Sequence, residues 1–314
     1  MSVVRVSASK EEVESGGWGV DNLRRIVEGM HNDGLLVLEG LIDPEHMDRM
    51  NEFMVEDGLR IRSETKYLNF GTENVQQSPP LHKHELVYSD VFENSLLFDA
   101  VKHILGPEAK WDFISGNTAL PRSTKKQPVH SDERCAYMQS TFYLIANIPL
   151  IDVGPETGVT QLWPATHRFR SDEYYHRHSE ALPEFLDQQE KTNPPIQPVL
   201  KRGSIVLRDL TLWHCGMPNP SDQVRCMIAL GFSAKWWKNE CYFKVPDAET
   251  ESRLINSAKQ HGIVAKPMII SQNYHVEKDK HDFNLGETDG ALKARASRQK
   301  EQEQMDRISI DQTA

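Results

Sequence analysis

Between residues 110 and 234 the chain is a succession of short segments rich in β-branched and aromatic residues, and no other feature constrains its fold as tightly. WDFISGNTAL (Trp111 to Leu120), YMQSTFYLIANIPLI (Tyr137 to Ile151), GVTQLWPA (Gly158 to Ala165), GSIVLRDLTLW (Gly203 to Trp213) and RCMIALGFSA (Arg225 to Ala234) are separated by glycine and proline. Strands punctuated in this way pair antiparallel and close into a sandwich or barrel. Upstream, apolar residues at helical spacing predict a helix over Asp21 to Asn32 that stops at Asp33-Gly34. A buried strand is expected over Leu35 to Ile42, then a helix with Asp43 as N-cap and Pro44 at its first position. Residues 60–84 read as a polar surface loop, and Ser95 to Leu105 as a helix ended by Gly106-Pro107. A polar insertion is expected over 170–200. The expected fold is mainly β with flanking helices, a jelly roll.

Composition excludes several classes of function. The 314 residues are 38% hydrophobic and 26% charged, enough to bury a sizeable core. Against 46 acidic residues stand 36 Lys and Arg, a net charge of -10, so no surplus of cations exists to neutralise nucleic-acid phosphates or an anionic membrane surface. Cys135, Cys215, Cys226 and Cys241 show no CxxC spacing, and neither a zinc site nor a disulfide framework is signalled. With no apolar leader and no run of about 18 apolar residues, the expected location is cytoplasmic.

Histidine is the unusual residue in this composition. Thirteen histidines and 20 aspartates in 314 residues give about one His-x-Asp pair by chance, yet the chain has three. His31/Asp33 falls at a helix end before Asp-Gly, where a capping role fits better. His46/Asp48 lies within a helix, where residues i and i+2 diverge by about 200°. His130/Asp132 enters the β-rich half, where alternation along a strand would point both side chains to one face. A second histidine from a neighbouring strand completes the set that holds non-haem Fe(II) and leaves coordination positions open. His214, in the alternating segment RDLTLWHCG, is the candidate. If RCMIALGFSA is the next strand of a hairpin, Arg225 returns beside His214, where its guanidinium can bind a carboxylate in bidentate fashion.

These segments resemble a known family. QPVHSD (Gln127 to Asp132), ETGVTQLWPATHR (Glu156 to Arg168), KRGSIVLRDLTLWHCG (Lys201 to Gly216) and NPSDQVR (Asn219 to Arg225) are similar, in order, to the motifs of the phytanoyl-CoA dioxygenase family. HNDGLLVLEGLIDPEHMDRM resembles its opening helix, strand and helix, and Gln127 before Pro-Val-His is like the fungal members of specialised metabolism. The resemblance spans about residues 20–235 and implies a double-stranded β-helix, or cupin-like fold, with Fe(II) and 2-oxoglutarate as cofactor and cosubstrate and O2 as oxidant. Departures occur at Thr157-Gly158 and at Pro164-Ala165-Thr166-His167, where members usually have Asn-Gly and Pro-Gly-Ser-His. By this resemblance His130, Asp132 and His214 bind iron, and Arg225 takes the distal carboxylate of 2-oxoglutarate. Gln127 hydrogen-bonds the cosubstrate, Thr160 supports its carboxylate, and His167 is structural. The carboxylate of Asp132 leaves no room for a halide ligand, which argues against halogenation.

One oxygenase domain is expected over residues 1–285, with a helical part at 20–108, a β core at 110–235 and an extension at 236–285. A charged tail, solvated helix or disordered, follows over 286–314. The expected reaction is hydroxylation, desaturation or oxidative rearrangement of a small hydrophobic metabolite. Phytanoyl-CoA-type acyl-CoA hydroxylation is the alternative, weakened because Lys125-Lys126 is the only compact cationic pair near the motif. A non-catalytic metal-binding jelly roll and a zinc hydrolase stay open, as does a homodimer. Two segments are candidates for closing over the site: Ala234 to Phe243, whose Trp236 and Trp237 could equally pack the barrel end, and residues 60–84, with Tyr67, Phe70, His82 and His84.

Overall fold

The computed structural model describes residues 3–64, 69–133, 140–176 and 179–270; Tyr67, Cys135 and the expected tail over 286–314 lie outside these ranges. Strand β1 (Arg5–Ser7), helices α1 (Lys10–Ser15) and α2 (Val20–Asp33), β2 (Leu35–Glu39), α3 (Pro44–Glu64), β3 (Asn74–Gln77), α4 (Ser89–Phe92) and α5 (Ser95–Leu105) come first. There follow β4 (Lys110–Ala119), β5 (Tyr143–Pro149), β6 (Gln161–Leu162), β7 (Tyr175–His176), β8 (Glu180–Ala181) and α6 (Pro183–Thr192). The remainder is β9 (Ile205–Asp209), β10 (His214–Cys215), β11 (Arg225–Ser233), β12 (Phe243–Val245), α7 (Ala248–Gln260), β13 (Val264–Ala265) and β14 (Pro267–Ile269). Among the described residues no helix is long and apolar enough to cross a membrane.

Local chemistry sets the first boundaries. Gly34 ends α2 in the left-handed conformation, φ 73°, with its N–H donating to Met30 O. A Cβ on Gly34 would lie 2.4 Å from His167 Nδ1, so a larger residue is excluded there twice over. Asp43 caps α3 as its sequence position suggests, its Oδ1 accepting from the Glu45 N–H at 2.9 Å. Asn94 does the same for α5 through the Leu97 N–H at 3.0 Å.

The strands form a main sheet of eight in the order β1-β2-β9-β5-β11-β4, with β3 and β13 sharing the outer edge of β4 end to end. Its pleat separates two environments. On β11, Cys226, Ile228, Leu230 and Phe232 belong to the core packed beneath α2, α3 and α5, together with Ile26, Met50, Phe98 and Trp111. The intervening Arg225, Met227 and Ala229 line a cavity on the opposite face. Facing that cavity is a second layer of short pieces: β6 against β10, β7 against β8, and single bridges from His130 to His214 and to Glu180. Trp163, Trp213 and Tyr175 pack behind it. Two sheets enclosing a cavity make the jelly roll the segment pattern suggests.

Four expectations are corrected. GVTQLWPA yields a two-residue strand, Gln161–Leu162. The presumed loop over 60–84 contains β3, a polar edge strand paired to β4. The polar insertion over 170–200 folds into β7, β8 and α6. His214 and Arg225 are not hairpin partners. Asp209 Oδ1 accepts the Thr211 N–H at 2.8 Å and the Thr211 hydroxyl at 2.7 Å, a turn that ends β9 and carries the chain to the second layer before His214.

Phe232, fully buried with its ring centroid 6.0 Å from Phe98 and 6.2 Å from Trp111, reports on this core. Phe232→Ala is expected to lower stability by about 3–5 kcal/mol in chemical denaturation.

Candidate metal centre

Two imidazoles meet because two backbones do. The His130 N–H donates to His214 O at 3.0 Å and the His214 N–H to His130 O at 2.8 Å, a reciprocal pair that makes these residues cross-strand neighbours. The rings stand 4.4 Å apart, centroid to centroid. Each Nδ1 faces a nearby backbone carbonyl, Pro128 O at 2.8 Å for His130 and Leu212 O at 3.0 Å for His214. A carbonyl only accepts, so Nδ1 carries a proton in both rings, which leaves Nε2 as the nitrogen available to a metal. Burial, then the charge of His214, pushes the His130 imidazole down to about 3, so it is neutral at physiological pH.

Asp132 follows His130 around a bend rather than along a regular strand, with its N–H on Leu210 O at 3.2 Å. This corrects the expectation that strand alternation aligns the two side chains. Its Oδ1 lies 3.5 Å from His214 Nε2, and one donor atom from each of His130, Asp132 and His214 falls within 4.8 Å of the others. Burial opposes ionisation of Asp132, but Arg208 and the two imidazoles together hold its carboxyl well below the usual range. Two imidazoles and one ionised carboxylate fit a divalent iron, and the site opens onto a cavity of about 360 Å³.

Sequence reasoning missed Arg208. Its Nη2 donates to Asp132 Oδ2 at 2.5 Å and its Nε to Asn147 Oδ1 at 3.0 Å, so one carboxylate oxygen is fixed and Oδ1 is left for a ligand role. The signal was available: an arginine inside the apolar strand IVLRD needs a buried partner.

Arg225 lines the same cavity, 3% exposed. Its Nη2 donates to Gly158 O at 3.1 Å and its Nε has no partner. Burial pushes its guanidinium down to about 10, and no carboxylate among the described residues pairs with it. Gln127 is pinned by the Gly216 N–H on its Oε1 at 2.8 Å, and Thr160 completes this part of the lining.

Other candidates lie elsewhere. His167 is buried outside the triad. His46 binds Asp90 at 2.9 Å while Asp48 turns to Arg202. Trp237 is buried with its ring centroid 4.2 Å from that of Phe142, whereas Trp236 is 51% exposed; neither lines the cavity, so Trp237 packs at the barrel end and Trp236 faces solvent. From 60–84, Phe70 packs 4.5 Å from His130, and Asn69, Asn74 and Gln76 also line the cavity. His82 packs on Phe53 and His84 on Asp247, away from it.

The sequence profile described as phytanoyl-CoA dioxygenase (PhyH) matches residues 30–227. EctD from S. alaskensis, solved with 2-oxoglutarate and 5-hydroxyectoine, is 17% identical with a TM-score of 0.52, covering 74% of this chain and 83% of its own. AviO1 from Streptomyces viridochromogenes Tue57 is 16% identical at TM-score 0.52, covering 71% and 99%. SnoK, a non-haem alpha-ketoglutarate-dependent carbocyclase from nogalamycin biosynthesis, is 19% identical at TM-score 0.52, covering 69% and 84%. At these identities the likeness is one of fold.

Arg208→Met is expected to weaken Fe(II) binding about 10- to 100-fold, measured by anaerobic metal titration. His167 gives a second prediction. Burial pushes its imidazole down to about 4, so the unfolded chain takes up a proton near the usual histidine value while the native state does not. Stability is therefore lost as pH falls from about 6.5 towards 4, by about 2–3 kcal/mol, and His167→Gln should flatten that slope in denaturation midpoints.

Proposed function

We propose that this chain, which belongs to the phytanoyl-CoA dioxygenase family, oxidises a small organic metabolite of specialised metabolism by hydroxylation, desaturation or rearrangement. Family membership makes it a non-haem Fe(II)- and 2-oxoglutarate-dependent oxygenase. Residues 1–285 are read as its single domain, supported by a main sheet that takes strands from Arg5 to Ala265.

His130 and His214 would hold the metal through Nε2 and Asp132 through Oδ1, with Arg208 fixing the other oxygen. Bound iron and 2-oxoglutarate supply O2 activation, with the cosubstrate oxidised to succinate and CO2. The protein's part is to bind, orient and exclude water. Arg225 would receive the distal carboxylate as a bidentate partner, Thr160 would sit beside it, and the Gln127 amide would donate to the cosubstrate near the metal.

The observation that carries this reading is Arg225. A buried cation without a carboxylate partner is costly, and a cavity that also holds two imidazoles and a carboxylate invites an anionic ligand that relieves it. A zinc hydrolase gives Arg225 no task, and no glutamate or lysine among the described lining residues stands ready as general base. Phe70, Phe113, Ile145, Met227 and Ala229 offer apolar surface for a metabolite. Lys125 and Lys126 are exposed and outside the lining, which disfavours a CoA thioester.

Succinate release requiring Fe(II), 2-oxoglutarate and a metabolite is the expected activity. Arg225→Ala should raise the Kd for 2-oxoglutarate about 100-fold, followed by the anaerobic metal-to-ligand absorption band, with iron binding retained. Unchanged cosubstrate affinity in that variant would overturn the assignment.

A further inference from the structure

The cavity has one wall that neither the metal nor the cosubstrate accounts for. Edge strand β3 and its partner β4 place Gln76 directly opposite Asn117, with Asn74 two residues along on the same face and Ser115 continuing it. Asn74 is 5% exposed, yet its Oδ1 has no hydrogen-bond partner, and neither has Asn117 Oδ1. A buried amide oxygen left unpaired costs free energy that a ligand's O–H or N–H recovers. Asn147, also in the lining, differs because its Oδ1 is already committed to Arg208.

Charge is missing from this wall. Among the described lining residues the ionisable groups are His130, Asp132, His214, Arg208 and Arg225. Each already has a place: three as metal donors, Arg208 on Asp132, and Arg225 for the cosubstrate. Among the described lining residues no cation remains for a second acid on the substrate, and no anion for an amine. The polarity is also graded. Two steps further along β4 from Ser115, Phe113 pairs with Gly231, which pairs in turn with Ile145, so an apolar region adjoins the amide region on one continuous face.

We propose that Asn74, Gln76 and Asn117 form the substrate-recognition wall, and that the substrate is an uncharged molecule with an apolar skeleton carrying at least one hydroxyl that this wall binds. The inference rests on the oxygenase reading above and narrows its substrate from hydrophobic to hydroxyl-bearing. A hydroxyl suits the wall because it donates to an amide oxygen and accepts from an amide N–H together. The wall orients the skeleton, so the C–H bond presented to the metal is chosen by how far it lies from the anchored hydroxyl.

The test uses the full chain loaded with Fe(II) and 2-oxoglutarate under anaerobic conditions. Borneol and menthol are titrated, each beside its methyl ether and the carboxylic acid of the same skeleton, with calorimetry reading Kd. The alcohols are expected to bind about tenfold or more tightly than their ethers and acids. Asn117→Leu and Asn74→Leu, each made singly, should remove that preference while the Kd for 2-oxoglutarate stays unchanged, which also reports that the variant is folded. Equal binding within the sets, preference for an acid, or no alcohol binding to the wild type would overturn the proposal. So would a loss of 2-oxoglutarate affinity in both amide variants, which would assign the wall to the cosubstrate. Failure of the oxygenase reading would show separately, as absence of the metal-to-ligand band in the wild type before any probe is added.

Discussion

The reciprocal backbone pair between His130 and His214 is the contact on which the rest of the site depends. A metal centre needs donor atoms in fixed positions, and side chains on mobile loops do not supply them. Here two short segments are locked together by their own N–H and C=O groups. Each imidazole is then oriented by a carbonyl two residues before it, Pro128 or Leu212. Ring position and tautomer are thus settled by main chain alone. The second layer can be built of pieces as short as two residues because it has few other duties: it presents these rings to the cavity, and Trp163 and Trp213 support it from behind.

The main sheet supplies the charges. Arg208 and Asp209 are adjacent in β9 and therefore point to opposite sides. Arg208 reaches into the cavity to hold Asp132, whereas Asp209 is fully buried on Arg170 at 3.0 Å and on Thr211. One dipeptide thereby orients a metal donor and ends its own strand, sending the chain across to His214. Removing either partner of the buried Arg170–Asp209 pair leaves the other uncompensated, so this pair constrains geometry more than it adds net stability, and the part-buried Arg208–Asp132 pair orients a donor. Arg225 is the exception, a buried cation whose partner is left for a ligand.

The long strands were legible because each is a run of β-branched and aromatic residues bounded by turn residues; β4 and β11 appear almost where WDFISGNTAL and RCMIALGFSA place them. Alternation that runs on past a turn conceals the turn. GSIVLRDLTLW continues apolar through the break at Asp209, so the crossing between layers was invisible and a hairpin seemed natural. Two-residue strands such as β6 carry no period at all. Arg208 sits within the same segment as His214, and a charge inside the apolar run IVLRD is the anomaly that marks it.

Strand β3 was missed for a reason that bears on specificity. NVQQ has three amides in four residues, the composition of a loop, and it pairs with one neighbour only. An edge strand that meets a cavity needs apolar residues on just one face, so its other face is free to carry whatever the ligand requires. Metal and cosubstrate donors are set on Arg225, on β10 and on the bridged segment around His130, where backbone pairing fixes them. Two of the three residues that would distinguish one metabolite from another, Asn74 and Gln76, sit on an edge strand, and the third, Asn117, faces them from β4. Asn74 and Gln76 are separate from the His130, Asp132 and His214 triad, and this separation lets one scaffold keep its chemistry while its substrate changes.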